Sequence, residues 1–243
     1  MQSSQQQLAV LARPSKTIEP GSYRAYLAPA AVNEIIGLTA WGGFGLKSHR
    51  TKTTPLIQML EQGRTLSAEI SLREYHARGL APMFTSSGFI KPNQVQLIDS
   101  GRYQDCLVSP RSAKEYHSVT NAESEYPGAL DLAAGNLADD NILNALDTGL
   151  YIKNLWYLNF SDRNACQLTG MTRFACFWVE NGEIQAPVDV MRFDDSVYDL
   201  FGSNLLGLTR ERELILDASS YGQRSNSSIE LPGLLLKALR LTL

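Results

Sequence analysis

Residues 155–188 read LWYLNFSDRNACQLTGMTRFACFWVENGEIQAPV, and their second half decides the fold. Residues 173–180 are rich in aromatic and β-branched side chains, which suit a pleated, half-buried surface. Asn181-Gly182 follows, and both residues tolerate positive φ, so a type I′ turn can match the twist of two flanking strands. Residues 183–188 return, with Pro187 marking the end of pairing or an edge position. The stretch is a β-hairpin.

Outward from it, the chain reads as short elements. Residues 1–20 are mostly polar and read as a flexible leader. A short strand is expected over 22–27. Pro29 then sits where the first turn of a helix tolerates proline, and residues 30–46 follow with amphipathic spacing at Val32, Ile35, Ile36 and Ala40. The run Trp41-Gly42-Gly43-Phe44-Gly45 weakens that helix, because each glycine costs about 1 kcal/mol in a helix interior. Residues 55–60 form a second helix closed by Gly63. Residues 65–72 alternate as a strand, and residues 94–100 and 103–109 form a strand pair around Ser100-Gly101-Arg102. Residues 109–112 start a helix leading to Tyr116. Further strands are expected over 129–134, 150–155, 212–216 and 234–243. A helix is expected over 139–146, and another after Asp194-Asp195 through Phe201. Many short strands and a few helices, without regular βαβ alternation, predict an α+β fold: a mainly antiparallel sheet or flattened barrel with a few flanking helices.

Composition bounds the function. The chain has 243 residues, 44% hydrophobic and 19% charged, with a net charge of −3. It lacks the basic face that nucleic-acid binding needs. Its three cysteines, Cys106, Cys166 and Cys176, have no paired spacing, which favours a reducing compartment over a disulfide framework. MQSSQQQ carries no signal-peptide pattern. No apolar run reaches the ~18–20 residues a membrane helix requires. The expectation is a cytoplasmic protein with no membrane and no nucleic-acid partner.

The segment TGMTRFACFWVENGEIQAPV resembles the C-terminal domain of the TldD/PmbA (TldE) family, also called modulators of DNA gyrase, where a glycyl turn, an aromatic strand, "ENG" and a returning strand recur. Gly149-Leu150-Tyr151-Ile152 is similar to that family's G(L/I)(Y/L)V strand. Residues 23–29 and the Gly-bearing helix after them also fit, so the likeness covers 23–243, with the domain placed at 21–243. The resemblance implies the same α+β fold. It also implies longer relatives with an N-terminal α/β domain, of which this chain matches the C-terminal half.

TldD-type members are similar to zinc metallopeptidases with an HExxxH helix and a later cysteine. Two imidazoles from one helix and a distant thiolate leave one position for water, and the Glu beside the first His takes that water's proton. In this chain the equivalent helix covers 32–48 and holds no His-Glu pair, and Ala218 stands where the thiolate is expected. The resemblance is therefore to the PmbA/TldE side, with no metal or other cofactor in this chain and zinc expected in a TldD-like partner. It implies a homodimer, or a heterodimer with that partner, supporting proteolysis of unfolded peptides. Two alternatives remain: a self-contained metallopeptidase with a site built from His49, His76 or His117 and Cys166 or Cys176, and a non-enzymatic interaction or regulatory module.

Asp162, Arg163, Asn164, Thr169, Thr172 and Arg173 form a polar cluster beside the hairpin, and Lys47, His49, Arg50 and Lys52 a basic run. The functional reading is a groove holding an extended peptide by main-chain pairing, with arginines on carboxylates. Its candidate residues are Arg163, Asn164, Thr169, Thr172, Arg173, His49, Arg50 and Tyr221. The plainer reading is loop-stabilising hydrogen bonds and surface charge of little energetic value. Cys176 reads as a small buried hydrophobe, and Cys166 as a more exposed turn residue. No catalytic residue is assigned.

Overall fold

A computed structural model describes residues 8–222 and 224–242. In chain order the elements begin with β1 (Gly21–Leu27), α1 (Pro29–Gly43), α2 (Leu46–Arg50) and α3 (Ile57–Gln62). Next come β2 (Leu72–Glu74), β3 (Val95–Asp99), β4 (Arg102–Tyr103), α4 (Pro110–Tyr116), β5 (Ala129–Leu132) and α5 (Ile142–Leu146). Then follow β6 (Gly149–Ile152), β7 (Leu155–Asp162), β8 (Gln167–Thr172), β9 (Cys176–Glu180) and β10 (Glu183–Pro187). The last three are β11 (Arg192–Ser196), β12 (Leu205–Leu216) and β13 (Ser228–Leu241). The strands form one open, mostly antiparallel sheet whose main path runs β10-β9-β6-β1-β13-β5-β2-β3-β4. The fold is α+β, as the mix of short strands and few helices predicts.

Strand β13 is the axis. It pairs antiparallel with β1, β11 and β12 and parallel with β5. Its sequence is a near-continuous apolar run, the pattern of a strand covered on both faces. Leu231, Leu234, Leu236 and Leu239 pack in the main core with Val32, Ile35 and Ile36 of α1. Leu235 packs on the opposite face with Tyr26, Val179, Ile142 and Leu146. Each fully buried Leu or Ile contributes roughly 1.5–3 kcal/mol. Pro232 sits inside this central strand, where proline removes a ladder donor. The register with β12 shifts between Leu208 and Arg212 there, and the Thr209 hydroxyl takes the Gly233 N–H at 2.8 Å instead.

The hairpin forms as expected. Ile184 pairs with Val179 and Pro187 with Phe177, and the turn has φ of 52° at Asn181 and 76° at Gly182. Pro187 ends β10 at the edge of the sheet. The aromatic strand starts later than residue 173, because Phe174 and Ala175 both take positive φ. Ser109 caps α4, accepting the Ser112 N–H at 3.3 Å. Gly63 closes α3 with φ 65°.

Four expectations change. Residues 65–71 are a turn, not a strand: Ile70 N–H bonds back to Ser67 O at 3.0 Å, while Leu66 N–H goes to Gly101 O at 2.9 Å. Their alternating apolar residues instead bury Leu66 and Ile70 as a plug in the core. The partner of β3 is two residues long rather than reaching 109, because the chain leaves to bond Leu107 with Phe44 and Leu46. Asp194 and Asp195 lie inside strand β11 rather than at a helix start, and the expected helix through Phe201 follows as a short helical segment, residues 197–203, whose last part, Asp199–Ser203, is π-type. Strands β12 and β13 are longer than expected, since the bulge lets β13 run through Pro232-Gly233.

Of the segment read as a leader, residues 1–7 lie outside the described residues. Lys16 forms an isolated parallel bridge with Val188, Thr17 Oγ1 donates to Asp189 Oδ2 at 2.6 Å, and Ile18 joins the core. Among the described residues no helix is long and apolar enough to cross a membrane.

Candidate functional site

Helix α1 does not run cleanly to its end. Trp41 has ψ 86° and Gly42 has φ 79°, so several carbonyls lose their intrahelical partners. Side chains replace them. Arg163 Nη2 donates to Trp41 O at 2.6 Å and its Nε to Thr53 O at 2.8 Å. Ser48 Oγ donates to Gly42 O at 2.7 Å. His49 Nε2 meets Gly43 O at 2.7 Å, and Thr54 Oγ1 the same carbonyl at 3.1 Å. Burial pushes the His49 imidazole below its ordinary range, and the Gly43 carbonyl partly offsets that.

The eight groove residues named from the sequence are therefore not gathered in one place. Arg163 and His49 meet around the kink, with Asn164 close by through Gln58 Nε2, which donates to its carbonyl at 3.1 Å. Arg50 ends α2 and is exposed. Thr169 Oγ1 accepts from Arg192 Nε at 3.0 Å, and Thr172 Oγ1 is buried against Met191 N and O. Arg173 lies over the rings of Trp156 and Phe174. Tyr221 is 99% exposed in the connection between β12 and β13.

The histidines and cysteines also stay apart. His76 Nδ1 is bonded to Pro92 O at 2.8 Å, and His117 is the left-handed cap of α4. Cys166, expected to be more exposed, is fully buried, and burial pushes its thiol up to about 12. Cys176 is buried as expected, its thiol directed at Asn154 O and pushed up to about 11 by burial. No group of three or more His, Cys, Asp or Glu among the described residues is placed to hold a metal ion.

A cleft of about 420 Å³ lies over the outer side of α1. Asn33, Glu34, Gly37 and Leu38 form its helical wall. Tyr126 and Pro127 face them, and the facing ends of β12 and β13, with Asp217 and Ser227, close it. These residues follow from α1's amphipathicity: Val32, Ile35, Ile36 and Thr39 turn into the core, leaving positions 33, 34, 37 and 38 outward. Burial raises the Glu34 carboxyl above its ordinary range. Asp217 behaves oppositely, held low by the Ser219 N–H and the Ser225 hydroxyl. The sequence reading missed Glu34 and Asp217. Glu34 stood on the polar side of a helix already read as amphipathic, and that was its only signal.

The mostly antiparallel sheet organised on β13, with its few flanking helices, is a fold shared with solved proteins. TldE from Thermococcus kodakarensis superposes with a TM-score of 0.81 at 15% identity, over 99% of this chain and 54% of that one. A proposed modulator of DNA gyrase from Bacteroides thetaiotaomicron gives 0.75 at 16% identity, over 99% and 51%. Another from Thermotoga maritima gives 0.74 at 17%, over 94% and 51%. No curated protein matches the sequence. The model of the PmbA/TldA metallopeptidase C-terminal domain matches residues 20–243, and the chain belongs to that family. It spans about half the length of the solved chains it resembles.

Proposed function

We propose that this chain is a TldD/PmbA-family subunit, or part of one, that carries no catalytic zinc of its own and supports proteolysis of unfolded peptides in the cytoplasm beside a zinc-bearing, TldD-like partner. The partner supplies the metal, the polarised water and the general base. This chain supplies interface and a wall against which peptide lies. What carries the reading is the disposition of its potential ligands. His49 and His76 are held at different places, by the Gly43 and Pro92 carbonyls, and His117 lies exposed at the end of α4. All three thiols are buried. A catalytic zinc needs three protein ligands converging on an open position, and α1 offers the cleft Asn33, Glu34, Gly37 and Leu38 instead.

The test is metal analysis and peptidase assay on the purified chain, alone and mixed with an HExxxH-bearing relative. The expected result is no stoichiometric zinc and no cleavage alone, with cleavage of an unfolded substrate by the mixture. Stoichiometric zinc with activity in the isolated chain would favour a self-contained metallopeptidase and defeat the reading.

A further inference from the structure

We infer that a second lobe, beside the α1 cleft, binds a short zwitterionic peptide, with its α-ammonium on Glu74 and its terminal carboxylate at Arg224. The inference rests on the peptide-wall reading above and names the peptide ends that this face holds.

The lobe, of about 580 Å³, lies between the β2–β3 connection, residues 123–128 and the β12–β13 connection. It meets the α1 cleft at Tyr126, Pro127 and Ser227, which line both. Its volume is that of a small-ligand pocket. Two of its lining side chains are almost wholly buried, Glu74 at 3% exposure and His76 at 5%. Their polar atoms are unequally used. Glu74 Oε1 accepts the Gly128 and Ala129 N–H groups, both at 2.9 Å, and His76 Nε2 faces the same oxygen at 3.4 Å. His76 Nδ1 lies 2.8 Å from Pro92 O. A carbonyl only accepts, so Nδ1 carries a hydrogen and is spent there. Glu74 Oε2 is buried and has no hydrogen-bond partner.

A buried carboxylate oxygen without a donor is costly, and an ammonium supplies both the donor and the opposite charge. A zinc ion does not fit the same place: it takes at least three protein ligands, and no third His, Cys, Asp or Glu among the described residues joins this pair. The rim carries the opposite sign. Glu123 is occupied, its Oε1 accepting the Ser86 N–H at 3.0 Å and the Ser86 hydroxyl at 2.9 Å, with Lys91 beside it. Arg224 is exposed at the mouth and has no hydrogen-bond or ion-pair partner among the described residues. Its planar guanidinium suits a carboxylate taken by two parallel N–H groups. An empty acceptor at the floor and a free guanidinium at the rim select a ligand with an ammonium at one end and a carboxylate at the other. A lysine inside a longer chain brings only the first.

The experiment titrates the full chain with the dipeptide Ala-Leu, its N-acetyl form and its C-terminal amide, read by isothermal calorimetry. Ala-Leu should bind about tenfold or more tightly than the acetylated form, the scale of one charged hydrogen bond, and more tightly than the amide. Glu74→Gln keeps an Oε1 for the Gly128 and Ala129 N–H groups and sets an amide donor where Oε2 stands. It should melt near the parent and lose the preference for a free amine. Arg224→Gln, at an exposed position, should lose the preference for a free carboxylate and keep the other. Equal binding of Ala-Leu and its acetylated form by the parent, or no binding of either, overturns the site. A Glu74→Gln chain that folds and still prefers the free amine overturns it too, by placing the ammonium elsewhere. N-acetyl-lysine amide bound as tightly as Ala-Leu overturns the zwitterion, as does equal binding of the acid and the amide. The peptide-wall reading falls separately, if the mixture with an HExxxH-bearing relative cleaves nothing.

Discussion

The guanidinium of Arg163 reaches across 122 residues of sequence to the carbonyl of Trp41, 2.6 Å away. The same side chain bonds Thr53 O and lies 4.9 Å from the ring centroid of Phe160. One side chain from the β7–β8 turn thus fixes the end of the helix that walls the cleft.

Arg163→Ala should lower stability by about 1–3 kcal/mol, the cost of leaving polar groups without partners, as measured by urea unfolding. Arg163→Lys should recover only part of this, because an ammonium cannot serve both carbonyls with a fixed fork. Full recovery by lysine would show that charge, rather than the two-carbonyl geometry, is what the kink needs.

Glu34 makes stability depend on pH. Its folded carboxyl titrates above its unfolded value because of burial, so the folded state binds more protons over that interval. Stability from this group is fully present below the ordinary carboxylate range and is lost as pH rises through the raised value. Glu34 is an exposed residue of the helix, so solvent screens much of this effect, and Glu34→Gln should melt only slightly higher than the parent at pH 7, with the gain vanishing in acid. The expectation fails if the variant is less stable at neutral pH.

The thiols should be silent. Burial holds Cys166 at about 12 and Cys176 at about 11, and the thiolate is the reactive form. A chromogenic disulfide reagent at pH 8 should label neither in the folded chain and all three cysteines after denaturation. Fast labelling of Cys166 in the native state would contradict its buried position.

Gly233 supports a close approach. A Cβ there would overlap the hydroxyl and ring of Tyr26 from the neighbouring strand. Gly233→Ala should cost about 1–3 kcal/mol, as overpacking does, and Tyr26→Phe in the same chain should return part of it. Additive losses in that double variant would rule out the steric cause.

Local chemistry was legible in the sequence wherever a few neighbouring residues fixed the outcome. Asn181-Gly182, Gly63 and the Ser109 cap dictate backbone geometry within one or two residues, and they appear where expected. Residues 65–72 misled because alternation reports only that Leu66 and Ile70 are buried. It does not say whether a strand or a turn buries them. The strand expected over 234–243 in fact begins at Ser228, and only the bulge in β12 and the Thr209 hydroxyl make Pro232-Gly233 tolerable inside it. The cleft was illegible for another reason: its walls come from around residues 33, 126, 215 and 228, and no spacing rule links them. Arg163 and His49 were noticed for their charge, but the helix carbonyls they serve appear only once the chain has folded.

The pairing of β1 with β13 joins Gly21 to Leu241 and Leu27 to Leu234. Contacts that distant in sequence give high contact order, and such topologies fold slowly. The first and last strands complete one another's ladders, so neither end offers a self-sufficient folding nucleus. Cutting the chain between them should leave two unstructured fragments that regain a native spectrum only when mixed.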